Sequence, residues 1–349
     1  MGLASYRSSA LSARERQQRR RLLSMTLLTC LVLALIGGTV HVVMLGKLRL
    51  GDMRRMATYD LSEESKRVRA AGEDITLQKT HEAEPTAVAG YSVVEAQRLL
   101  SREQWEDLDR MVPIAAGPFI MGTDLERADE QDKPRHEVTL PAFYLDKFLV
   151  TNAQYARFVA ATQRRAPINW KDGRIPQGEL VKPVTMVTWN DAADYCAWEG
   201  RRLPHEAEFE KAGRGTDGRR WPWGDKMDPT RLNAYYNVGS STNVAAYPRG
   251  ASIYGVYDLS GNVAEWTADD LRPYEGSKAP QNLAAGTAGA AAAYPTQTND
   301  YKVLRGGSWK GDPFSTSLYH RDYAFPNQAT DFYGFRCASS VERTERAPG

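Results

Sequence analysis

The sequence predicts an α+β domain with much irregular structure, standing behind a single apolar span. Turn-forming residues punctuate the chain at Gly117-Pro118, Gly122, Pro134, Gly215, Pro222, Gly224, Gly255, Gly261, Gly306-Gly307 and Gly334, too densely for long helices. Only a few segments of that stretch carry helix signals, and the rest reads as short strands joined by long connections. The 8 Trp and 17 Tyr supply bulky plugs for a loop-rich core.

Residues 1–21 are basic and polar, with no apolar period, and read as a tail. Residues 22–45 (LLSMTLLTCLVLALIGGTVHVVML) hold no formal charge and match the ~20 apolar residues that cross a bilayer. The run is long for a cleaved leader, and no small-x-small site follows it, so it reads as a retained anchor. Six Arg precede it (Arg7, Arg14, Arg16, Arg19, Arg20, Arg21), against Lys47, Arg49, Arg54 and Arg55 after it. The positive-inside bias places the N-terminus in the cytoplasm and the bulk of the chain outside it, periplasmic or on the cell surface. Residues 46–112 read as a stalk or linker, with a roughly helical apolar stripe over 93–111 that would face the domain or a partner.

The compact domain is expected over 113–340. Thr151-Asn152 caps a helix Ala153–Ala161, Asn190 caps Asp191–Glu199, and Pro204-His205-Glu206 opens a third helix through Lys211. His136–Leu140 and Ala142–Leu149 read as strands. Residues 275–299 are Ala/Gly-rich and read as an insertion loop, and 341–349 as a tail.

Composition narrows the function. A hydrophobic fraction of 42% and a charged fraction of 25% are those of a globular chain, and 45 Lys+Arg against 43 Asp+Glu leave a net charge of +2. No basic excess remains for a general nucleic-acid binder. A mean hydropathy of −0.52 excludes a polytopic membrane protein.

No single motif specifies chemistry. There is no zinc-type Cys/His spacing, P-loop, dinucleotide fingerprint or Gly-x-Ser-x-Gly. The His residues stand singly at His41, His81, His136, His205 and His320. Glu206, Glu208 and Glu210 share a helix and read as a solvated or capping face rather than an acid/base pair. The turn Gly261–Glu265 offers oxygens of Asn262, Val263 and Glu265 to a structural calcium ion, or is an ordinary Asn turn. Cys30 lies in the span. Cys196 and Cys337 are the only cysteines beyond it, which admits one bridge or two free thiols.

Taken together, the segments GPFIMG (117–122), DKPRHEVTLPAFYLDKFLVTNAQYARFV (132–159), PVTMVTWNDAADYCAWEGRRLPHEAEFEKAGRG (183–215), WPWG (221–224), YGVYDLSGNVAEW (254–266), VLRGGSW (303–309) and YGFRCA (333–338) follow one another as in a known family. The chain over about 113–340 resembles the formylglycine-generating enzyme (sulfatase-modifying factor) family. That resemblance implies a C-type-lectin-like fold, often held by calcium, and a disulfide between Cys196 and Cys337. Such a bridge needs an oxidising compartment, in keeping with the topology above. It also implies a pair of copper(I)-binding cysteines just beyond Gly306-Gly307-Ser308-Trp309. Here those places fall on about Gly311 and Thr316, and no Cys lies between Cys196 and Cys337. Without thiolates, neither copper nor the family's oxidase chemistry is expected. The iron-dependent branch of the superfamily uses a His-bearing helical domain, for which the stalk supplies only His81.

The expectation is therefore a non-catalytic, membrane-anchored accessory subunit of a membrane protein complex, binding other subunits through this domain. An electron-transfer complex is one candidate host. The alternatives are an enzyme with altered chemistry on a protein or cell-envelope substrate, using Ser308, Tyr319, His320, Arg321 and Asp322, and a lectin-like ligand binder.

Overall fold

The computed structural model describes residues 90–279 and 301–340. The tail 1–21, the span 22–45, most of the stalk, residues 280–299 of the insertion and the tail 341–349 lie outside the described residues. Among the described residues no helix is long and apolar enough to cross a membrane.

The domain starts earlier than the sequence led one to expect. Strand β1 (Gly90–Tyr91) pairs antiparallel with β6 (Ile175–Pro176), so residues ahead of 113 are built into the domain rather than held apart as stalk. The stripe over 93–111 is two helices, α1 (Val93–Leu99) and α2 (Arg102–Leu108), followed by strand β2 (Met111–Ile114). The break has a local cause. Leu100 is extended, and the Ser101 side chain accepts from Gln104 N at 3.2 Å while Gln104 Oε1 accepts from Ser101 N at 2.8 Å. This capping box restarts the helix instead of continuing it. Ala96 and Leu108 face inward, whereas Val94 and Leu99 stay exposed.

Three further helices follow the sequence signals closely. Helix α3 (Asn152–Thr162) is capped by Thr151, α4 (Trp189–Trp198) by Thr188, two residues ahead of the expected Asn190, and α5 (Glu206–Arg214) begins after His205. The strands are short. β3 (Gly117–Met121) pairs with β4 (His136–Leu140), and β5 (Phe143–Asp146) lies between β2 and β11 (Ala338–Ser339). The largest sheet has the order β10-β7-β8-β9, with β7 (Ala264–Asp270), β8 (Lys302–Arg305), β9 (Arg321–Ala324) and β10 (Tyr333–Gly334). Only the β10–β7 pairing in it is parallel.

Helices α3 and α4 pack an aromatic core in which Tyr155, Phe158, Tyr195 and Phe335 meet edge-on or stacked at 5.3–6.4 Å between ring centres. Within that core Cys196 on α4 is joined to Cys337, 141 residues away and with both residues fully buried. The disulfide that the family resemblance implied is thus present.

Helix α5 departs from expectation. Its carboxylates do not form a solvated face: Glu206, Glu208 and Glu210 are all buried. Glu206 takes both prongs of the Arg321 guanidinium at 2.8 Å, and Glu208 takes those of Arg202 at 2.6 Å while capping the helix through His205 N. Glu210 binds Arg214, Arg305 and the Gly122 N–H. Cations from distant strands reach this helix, which sequence spacing could not show.

The turn Gly261–Glu265 is likewise claimed from within. Glu265 is fully buried, and its two oxygens accept from Arg336 Nε at 2.6 Å and Nη2 at 2.7 Å. Burial pushes its carboxyl up, and the Arg336 cation pulls it back. Asn262 Oδ1 accepts from Thr242 N at 2.9 Å. The set of Asn262, Val263 and Glu265 therefore has no free carboxylate and a guanidinium on the one it owns, so these residues do not fit the calcium ion expected of them. The fork ties β7 to the segment leading into β11 instead.

Two stability measurements check this frame. Reduction, or Cys196→Ala with Cys337→Ala, should cost about 5 kcal/mol in the chain-entropy model, roughly 10 °C in Tm, and reduction should release two thiols to alkylation. Glu265→Ala should cost about 3–5 kcal/mol by leaving the Arg336 charge buried and alone, while a chelator leaves the melting curve of the parent chain unchanged.

Candidate functional site

The loop leaving β8 carries the positions where the family resemblance placed cysteines. Gly306 and Gly307 both have positive φ, +86° and +66°. A Cβ at Gly307 would lie 2.5 Å from the Ser315 carbonyl oxygen, so glycine here lets the two ends of the 307–316 loop touch. Trp309 is buried and its N–H donates to the Asn262 carbonyl at 2.9 Å, which seats the loop on the Gly261–Glu265 turn.

Gly311 and Thr316 face each other across this loop, and the space is filled. A Cβ at Gly311 would meet Ser315 Oγ at 2.7 Å, the Ser308 carbonyl at 3.0 Å and Thr316 Cγ2 at 3.1 Å. Thr316 is fully buried, and its hydroxyl donates to the Asp312 carbonyl at 2.9 Å. This is a hard oxygen already spent on a turn, beside a residue with no side chain. Such a pair lacks the soft thiolates that hold copper(I), so the residues present do not fit that metal.

The other expected residues are dispersed among structural jobs. Ser308 is buried and its hydroxyl accepts from Lys310 N at 3.3 Å. His320 Nδ1 lies 3.0 Å from Asp132 Oδ2, its ring packs on Phe314 at 4.6 Å, and Asp132 Oδ1 accepts from Arg321 N at 2.8 Å. No hydrogen bond among the described residues joins Ser308 to His320. Arg321 is held by Glu206, and Asp322 is exposed on β9. Tyr319 is buried, and its hydroxyl has no hydrogen-bond partner among the described residues. Asp129 completes a trio with Asp132 and His320 whose ligand-type atoms lie within 4.8 Å of one another.

Sequence reasoning missed two features beside the loop. Arg220 Nε donates to Ser317 Oγ at 2.9 Å and Nη2 to the Pro313 carbonyl at 3.3 Å, while its guanidinium lies 4.4 Å over the Trp221 ring. The Arg219-Arg220 pair ahead of the WPWG turn was the available signal. The second feature is the segment Tyr235-Tyr236, whose φ values of 58° and 56° put both residues in the left-handed region. Their N–H groups donate to the carbonyls of Gly311 at 3.0 Å and Trp309 at 2.8 Å. Strain of about 1–3 kcal/mol per residue is thereby held against the loop, and Tyr236 is left exposed with its ring edge-on to Trp309. A cavity of about 280 Å³ opens elsewhere, between β3, Lys211, Thr216 and Tyr254, and none of the expected site residues lines it.

Comparison with known proteins identifies the family. The profile of the sulfatase-modifying factor enzyme 1-like domain matches residues 96–341. Serine/threonine-protein kinase Pkn1 of Chlamydia trachomatis serovar L2 is 34% identical over 320 residues, covering 86% of this chain and 49% of the relative. The chain spans about half the length of that relative or less in the case of its Chlamydia caviae counterpart, where 38% is covered. Inactive C-alpha-formylglycine-generating enzyme 2 of Mus musculus is 33% identical, covering 67% of this chain and 86% of the relative. Among solved structures, PvdO from Pseudomonas aeruginosa superposes with a TM-score of 0.55 at 26% identity, over 68% of this chain and 96% of PvdO. Motif order, the buried Cys196–Cys337 bridge and the profile match converge, and the chain belongs to the sulfatase-modifying factor enzyme 1-like family.

Proposed function

We propose that this chain is a non-catalytic member of its family: a membrane-anchored, extracytoplasmic accessory subunit that uses its sulfatase-modifying-factor-like domain to bind other subunits of a membrane protein complex. One observation carries the reading. The two positions that would hold copper are Gly311 and Thr316, their shared space is filled by Ser315 and the Thr316 methyl, and no cysteine lies between Cys196 and Cys337. Thiolate chemistry at this loop has no nucleophile and no metal ligand.

Three further observations support it. Two of the residues that could have served a different chemistry, His320 and Arg321, are held by the carboxylates of Asp132 and Glu206. A mammalian relative of similar domain size is named inactive. The uncharged run at 22–45, with its upstream Arg cluster, supplies the anchor and its direction. An electron-transfer assembly is one host that this role admits. The strained Tyr235-Tyr236 segment gives the loop an exposed aromatic edge suited to a protein contact.

The full chain in detergent should form no formylglycine on a sulfatase-type Cys peptide, with or without added copper, as read by mass spectrometry of the peptide. In cells, deleting the chain should deplete a high-mass membrane assembly on native gels without abolishing a modification of any co-purifying protein. Copper-dependent turnover of the peptide contradicts the proposal.

A further inference from the structure

The corner between Arg220, Trp221, Tyr319 and the 311–317 loop has an excess of hydrogen-bond donors. A guanidinium carries five N–H groups. The guanidinium N–H groups of Arg220 with partners go to Ser317 Oγ and the Pro313 carbonyl, its backbone N–H donates to Asp225 Oδ1 at 2.9 Å, and among the described residues the guanidinium itself makes no ion pair with a carboxylate. Beside it, Trp221 Nε1 and Tyr319 Oη are both buried without a hydrogen-bond partner among the described residues. Their rings pack on the same guanidinium, 4.4 Å and 5.6 Å from its carbon. Unpaired donors in a half-buried site are costly, and a donor surplus is relieved by a ligand that only accepts.

The charge balance points the same way. Burial pushes the Arg220 pKa down, and the exposed Arg127 pushes it further, against Tyr319, Tyr235 and Asp312. Two acidic groups stand near this corner: Asp225, one of whose oxygens accepts from the Arg220 backbone N–H at 2.9 Å, and Asp312, one of whose oxygens is taken by the N–H groups of Phe314 and Ser315 at 2.9 and 2.8 Å, closing its own turn. Elsewhere in the domain the buried arginines have carboxylate partners: Arg305 and Arg214 have Glu210, Arg321 has Glu206, and Arg336 has Glu265. Arg220 is the half-buried guanidinium left without one beside the loop where the family's chemistry would sit. The exposed apolar edge of Tyr236 and Val238, 62% and 52% exposed, flanks the same loop through the Tyr235–Gly311 and Tyr236–Trp309 hydrogen bonds. A cation set among aromatic faces, with an apolar rim, matches a peptide that carries both a carboxylate and ordinary backbone rather than a free inorganic ion.

We propose that this corner is a carboxylate-recognition site, in which Arg220 receives an Asp or Glu side chain from an acidic segment of a partner protein, with Trp221 and Tyr319 as its walls. The inference rests on the reading of this loop as a binding surface and names the chemistry of what it binds.

The test uses the full chain in detergent micelles and a fluorescein-labelled hexapeptide with two adjacent Glu residues. Anisotropy should rise on titration, and the same peptide with Gln at both places should bind about 10-fold more weakly, the worth of a charge-assisted hydrogen bond. Arg220→Met keeps an unbranched chain over Trp221 and should show the same 10-fold loss with an unchanged melting temperature. Arg220→Gln, which keeps a donor for Ser317, should behave alike and serves if the Met variant melts early. Equal binding of the two peptides, binding by both variants as tight as the parent's, or no binding by the parent chain overturns the site. The two readings fail separately. An Arg220→Met chain that still co-extracts its membrane partner removes the carboxylate site and leaves the accessory role. A parent chain that oxidises a Cys peptide removes the accessory role itself.

Discussion

The interaction on which the rest depends is the set of buried carboxylates on α5. Glu210 lies at its centre, fully buried, holding Arg305 from β8, Arg214 from its own helix and the Gly122 N–H at the end of β3. Arg305 in turn donates to the carbonyls of Leu318, Tyr319 and His320 at 2.8–3.1 Å. One carboxylate and one guanidinium thus fix a helix, a sheet strand and the chain that leaves the 307–316 loop. Removing either partner strands a charge in the interior at a cost of about 3–5 kcal/mol, so neither can drift alone. In a domain with such short strands, these charges and the Cys196–Cys337 bridge do what long ladders do elsewhere.

These ties do not run through the side chains of the loop itself. Glu206–Arg321, Glu210–Arg305 and Glu265–Arg336 all lie beneath or beside the loop, and none uses the side chains at 311 or 316. Gly311 and Thr316 are local to a turn closed by Asp312 and Ser315. The three long-range ion pairs therefore do not depend on which side chains stand at 311 and 316. The resulting loop is a shaped surface, stiffened by strained backbone at Tyr235-Tyr236 and still exposing Tyr236.

What the sequence disclosed follows the range of the interactions involved. Caps act over three or four residues, so Thr151 and the start of α5 at His205 were legible, and the break at Ser101 lay in plain view as a Ser-x-x-Gln box that an apolar stripe obscured. The bridge became legible only through the order of motifs, because nothing local couples Cys196 to a residue 141 positions on. The helix charges were misread for the same reason: Glu206 and Arg321 are 115 residues apart, and a Glu-rich helix looks solvated until its partners are seen. Glu265 looked like a calcium ligand until Arg336 was found across its carboxylate. That no cysteine stands between Cys196 and Cys337, by contrast, is a matter of residue type and needs no geometry. Arg220 escaped because an unpaired cation can be recognised only after all the other pairings are known.

The central claim is that the loop keeps its shape and lacks the metal. It is tested most directly by anaerobic titration of the full chain, in detergent, against a coloured copper(I) chelator. The account predicts that the Thr316→Ala variant and the parent chain leave the chelator's copper to the same extent. Withdrawal of one equivalent of copper(I) by the parent chain, lost on Thr316→Ala, would contradict it.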